Sequence, residues 1–156
     1  MQRRFTGAYV LGAIELLIGG PLAYAGWRFF PEFFRPPSPS THLDDYLAFA
    51  AMAITGTATV VAAAVTLLHS RLSYGLLHRA RLGAIFADVW MLLTGVGMWV
   101  IARQRGGDWA GLAVLDALLF LAIGTLLLVL SLITLRYIRR MAPGSNTARI
   151  GHPKFS

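Results

Sequence analysis

The chain has no cysteine, a single lysine (Lys154) and only seven acidic residues among 156. Without cysteine there is no disulfide, no thiolate metal ligand and no thiol nucleophile. Histidine is almost as scarce. His42, His69, His78 and His152 are expected in loops, at span ends or in the tail. A bis-histidine haem inside a bundle needs imidazoles within the spans, so no cofactor is predicted. His69 and His78 bracket one inner loop, which is where a surface metal or haem could sit. No nucleophile motif, phosphate loop or zinc spacing is present, and Gly106-Gly107-Asp108 matches the intramembrane aspartyl proteases only as a tripeptide. An enzyme is therefore not expected.

What is present in excess is apolar. Hydrophobic residues make up 56% of the chain and charged residues 13%, above and below the usual shares of a soluble domain. Hydropathy resolves four segments, residues 5–27, 45–68, 82–102 and 109–135, each about 20 residues or longer and so able to span a hydrocarbon core. The expected architecture is an all-α integral membrane protein. Its transmembrane domain, residues 1–140, is an up-down-up-down four-helix bundle with short links, followed by a polar basic cytoplasmic tail, residues 141–156. Arg3 and Arg4 precede an apolar run ending in Ala23-Tyr24-Ala25, a pattern that signal peptidase cuts. Glu15 interrupts the would-be signal core and the run is long, so an uncleaved span is expected.

Ten of the fourteen basic residues fall on one side: Arg3, Arg4, Arg71, Arg79, Arg81, Arg136, Arg139, Arg140, Arg149 and Lys154. The other side holds Arg28, Arg35, Arg103 and Arg105. By the positive-inside rule both termini are cytoplasmic. The net charge of +7 is thus first a topology signal. The tail suits anionic headgroups, and no basic face with stacking aromatics points to nucleic acid. Thirteen arginines against one lysine matches the codon usage of a high-GC bacterium, hence an expected place in the bacterial cytoplasmic membrane.

The first outer loop, residues 28–44, is rich in aromatics. Trp27, Phe29, Phe30, Phe33 and Phe34 suit an interface anchor, and docking of an extrinsic partner is the alternative. Prolines 36, 37 and 39 extend the chain, and Ser40 or Thr41 with Asp44 reads as a helix cap. The inner loop, residues 69–81, is short and basic and is expected to run along the headgroups. In the second span Ala51, Thr55, Thr59 and Ala63 fall four apart, a small-residue face against which another helix can pack closely. The fourth span is leucine-rich from Leu126 to Leu135 and suits lipid or a hydrophobic neighbour.

Three acids lie within spans: Glu15, Asp88 and Asp116. From helical rise, Glu15 lies about 15 Å and Asp88 about 9 Å from the cytoplasmic end, and Asp116 about 10 Å below the outer end. A charge near mid-bilayer costs at least about 2.5 kcal/mol. No cationic residue is expected at the depth of Glu15, so the neutral acid is expected there. On the structural reading Glu15 donates a hydrogen bond to Thr55, Thr57 or Thr59, and Glu15→Gln should leave folding nearly intact. On the functional reading the three acids relay protons, or Glu15 exchanges a proton for a cationic substrate. Asp88 and Asp116 are expected to pair by snorkelling with Arg79, Arg81, Arg103 or Arg105.

Glu15 with its flank Tyr9-Val10-Leu11-Gly12-Ala13-Ile14, together with Gly95-Val96-Gly97, resembles the small multidrug resistance transporters, which carry a mid-membrane glutamate in the first of four helices and a glycine-rich third helix. That resemblance implies an ion-coupled acid at Glu15. This chain departs in its greater length, its long outer loop and its strong charge bias, and the likeness is confined to these residues. The reading that covers the whole chain is a non-catalytic accessory, structural or assembly subunit of a larger membrane complex, an energy-transducing one among the candidates. Its partners are lipid and other membrane subunits. The alternative is a small proton- or cation-coupled transporter working through Glu15.

Overall fold

A computed structural model describes residues 3–29, 31, 43–68, 73–105 and 110–140. These form four helices, α1 (Arg3–Arg28), α2 (Leu43–Leu67), α3 (Tyr74–Arg105) and α4 (Ala110–Arg140). Each is long and apolar enough to cross a membrane. The helices pack α1 on α2, α2 on α3 and α3 on α4, with a lighter contact of α1 on α4 that completes the circuit. The expected cap at Ser40, Thr41 and Asp44, the aromatics Phe30, Phe33 and Phe34, and the tail 141–156 lie outside the residues or side chains described.

Two boundaries differ from expectation. The third helix begins at Tyr74, so most of the supposed inner loop, including His78, Arg79 and Arg81, is helical. Ser73 precedes it, and its carbonyl accepts from the amides of Leu76 at 3.1 Å and Leu77 at 3.3 Å, opening the helix where a serine is favoured. This early segment stays helical because it buries one face: Leu77, Arg81 and Ala84 are buried, while Arg79 and Leu82 are exposed. The fourth helix continues to Arg140 for the same reason, since Thr134, Leu135 and Ile138 are buried.

The buried positions follow steps of three and four. One such seam in α1 is Ala8, Gly12, Glu15, Gly19, Leu22 and Gly26; in α3 it includes Leu77, Arg81, Ala84, Asp88, Met91 and Gly95, with Ala87 and Ala102 also buried; in α4 it includes Ala117, Phe120, Gly124, Leu127, Ser131, Thr134 and Ile138, with Leu130 and Leu135 buried beside it. Such a seam, repeating every seven residues, is the signature of helices wound about one another. Here small and polar residues share the seam with the apolar ones. The outside is the reverse, with Leu17, Tyr24 and Phe86 each more than 70% exposed. In lipid, apolar surface gains nothing by hiding from its surroundings, so close backbone approach and polar contacts hold the helices together.

The closest approach is between α1 and α2. A methyl group on Gly19 would stand 2.9 Å from Thr59 Cβ, and one on Gly26 or Gly56 would enter the backbone of Ala53 or Ala23 respectively. Gly12 faces Leu67 and the Ala63 carbonyl, so numbers rise along α1 as they fall along α2. Between α3 and α4 the fit is reciprocal: Gly95 lies against Leu121, and Gly124 against Leu92. The stripe Ala51, Thr55, Thr59 and Ala63 is fully buried, and its neighbours are α1 and α3 of this same chain. The leucine-rich stretch of α4 is two-faced: Leu126, Val129, Leu132 and Ile133 are exposed, whereas Leu127, Leu130, Ser131, Thr134 and Leu135 are buried.

Candidate functional site

Glu15 lies on the α1 seam, on the same face as Gly12 and Gly19, and its side chain is wholly buried. The expectation that no cation reaches its depth is overturned. Arg81, also buried, brings Nη1 to 2.6 Å from each carboxylate oxygen of Glu15. The N–H is aligned with Oε1; Oε2 has the charge contact without an aligned hydrogen. The physical reason is the early start of α3. Arg81 stands seven residues inside that helix, about 10 Å along its axis from the first residue, on the face turned to the bundle.

The other side of the guanidinium is held by α2. Thr66 donates its hydroxyl hydrogen to the Ala62 carbonyl at 2.8 Å, which turns its lone pairs toward Arg81. Arg81 then donates to Thr66 Oγ1 from Nε at 3.1 Å and from Nη2 at 2.6 Å. From α4, the Thr134 hydroxyl points between Glu15 Oε1 at 3.2 Å and the Leu130 carbonyl at 2.9 Å. Each of the four helices thus contributes one side chain to a single buried polar cluster. An uncompensated charge at such a site is strongly unfavourable, whereas a paired and hydrogen-bonded one is tolerated.

The expected threonine partners of Glu15 are engaged elsewhere or unpartnered. Thr55 donates to the Ala87 carbonyl on α3 at 2.9 Å. Thr57 accepts from Trp27 Nε1 at 2.9 Å, and Thr59 Oγ1 has no partner among the described residues. Asp88 is also fully buried. Its partner is not an arginine: Ser131 on α4 donates to Asp88 Oδ2 at 2.8 Å, and Oδ1 has no partner among the described residues. Asp88 is near enough to Glu15 and Arg81 to interact electrostatically with both.

Asp116 stands apart. It is exposed and lies fifteen residues from Ser131 along α4, roughly 22 Å away, so the three acids form no chain. Arg103, expected as a partner for an acid, instead lies over the Trp99 ring, 4.3 Å from its centroid. At the outer anchor Trp27 and Phe29 are both exposed, and Phe29 stacks on Phe49 with centroids 4.6 Å apart. A groove of about 200 Å³ is lined by Leu47 of α2 and by Trp90, Leu93 and Met98 of α3 among others, and none of its lining residues belongs to the polar cluster. Among the described residues no group of histidines and acids could hold a metal ion.

Sequence reasoning therefore found Glu15 and Asp88 and named Arg81, but as a partner for Asp88 or Asp116 and not for Glu15; it missed Thr66, Ser131 and Thr134. A signal for Arg81 was present: it stands seven residues before Asp88, which puts both on one face of a helix. Comparison with protein-family models, with curated proteins and with solved structures returned no match.

Proposed function

We propose that this chain is a non-catalytic accessory, structural or assembly subunit of a larger membrane protein complex. The observation that carries this reading is the state of Glu15. The acid most suited to ion coupling is fully buried and held by Arg81 at 2.6 Å, so it serves as the centre of a four-helix tie. A transporter working through Glu15 would have to part that pair at each cycle and leave the guanidinium uncompensated. The apolar outer faces of all four helices suit lipid and neighbouring subunits.

In the same reading the bundle runs up-down-up-down with both termini in the cytoplasm of a bacterial inner membrane. The opposed numbering of contacts between neighbouring helices supports the first part. The ten-to-four division of basic residues supports the second.

The test is the mass and composition of the particle that carries the chain after gentle solubilisation of the native membrane. A large particle of fixed composition is expected. Recovery of one or two copies alone would overturn the subunit assignment.

A further inference from the structure

Among the described residues, the bundle interior holds two acids, Glu15 and Asp88, against one cation, Arg81. Arg81 is committed to Glu15 on one side and to Thr66 on the other. Among the described residues, the polar groups that α2 and α4 bury in the bundle are Thr55, Thr59 and Thr66, and Ser131 and Thr134, none of them charged. On α3, Arg79 is exposed, and half-buried His78 lies ten residues from Asp88, about 15 Å along the axis. Among the described residues the interior is therefore one positive charge short. The deficit falls on Asp88, whose Oδ2 is occupied by Ser131 while Oδ1 is buried with no partner among the described residues. An ionised carboxylate with a bare oxygen in a water-poor interior is the costliest arrangement available, and a proton on that oxygen removes the charge.

We propose that Asp88 holds one exchangeable proton on Oδ1, beside the Glu15–Arg81 ion pair, so that the bundle core is a single-proton site. The roles expected of the two acids are exchanged: Glu15 is the ionised, paired carboxylate, and Asp88 is the neutral one. The site gains or loses its proton without breaking the ion pair, and losing it adds one negative charge within range of Arg81. This assignment is independent of whether the chain is a subunit or acts alone.

The experiment is infrared spectroscopy of the full chain in lipid nanodiscs at neutral pH, reading the C=O stretch of protonated carboxyl groups. One such band is expected, moving on transfer to D₂O, absent in Asp88→Asn and retained in Asp116→Asn. Ser131→Ala should keep the band but shift it, because the hydrogen bond to Oδ2 is gone. That variant decides the matter if Asp88→Asn does not fold. A wild type with no protonated-carboxyl band, a band that survives Asp88→Asn, one unmoved by Ser131→Ala, or one that does not respond to D₂O would each overturn the proposal.

Discussion

Arg81 and Glu15 are an interdependent pair, and their substitutions should behave as one. Glu15→Gln, which an isolated buried acid would tolerate, removes the carboxylate that Arg81 binds among the described residues. We expect a loss of about 3–5 kcal/mol, the cost of orphaning one member of a buried ion pair. Replacing both, Glu15→Gln with Arg81→Met, should recover much of that loss. Unfolding of the purified protein in mixed micelles measures Glu15→Gln, Arg81→Met and the double variant, and additive single effects would refute the coupling. Thr66→Val tests the other side of the guanidinium. It removes the acceptor of two Arg81 donors and should cost about 1–3 kcal/mol, the penalty of leaving buried donors unsatisfied.

Among the elements, α1 and α2 are set by glycine. Gly12, Gly19 and Gly26 stand seven apart on the α1 seam, and Gly56 answers from α2. A Cβ at Gly26 or Gly56 meets backbone, which cannot rotate away. Gly56→Ala should therefore destabilise by about 1–3 kcal/mol, as overpacking does. Gly83 on α3 has open space around it, so Gly83→Ala should stabilise by up to about 1 kcal/mol through helix propensity alone. Opposite signs for one chemical change would show that approach distance, and not glycine as such, decides the outcome. Scanning for apolar stripes passed over this repeat, because in lipid the buried stripe is the small and polar one. Thr55 and Thr59 were legible as a packing face for that reason, whereas Ser131 and Thr134 were hidden in a run read by its leucines.

For the whole molecule, the proposed orientation has a direct test, made clean by the absence of native cysteine. Ser40→Cys should react with a membrane-impermeant maleimide applied to right-side-out vesicles. Ser145→Cys should react only after the vesicles are opened. Labelling of both from outside, or the reverse pattern, would refute the assignment of both termini to the cytoplasm.

Four helices long and apolar enough to cross a membrane were determined by the sequence alone, because the length of an apolar run and the thickness of a bilayer are both local quantities. The same holds for the position of Glu15 and Asp88 within those apolar helices, and for the small-residue face of α2. The partners of those acids were decided only by the tertiary structure. Which cation meets Glu15 depends on where α3 begins and how it is rotated against α1, and residues 15 and 81 are 66 positions apart. No local pattern links them; they meet because the helices close into one bundle with a shared polar seam. That closure leaves Glu15 paired and Asp88 with an oxygen to spare.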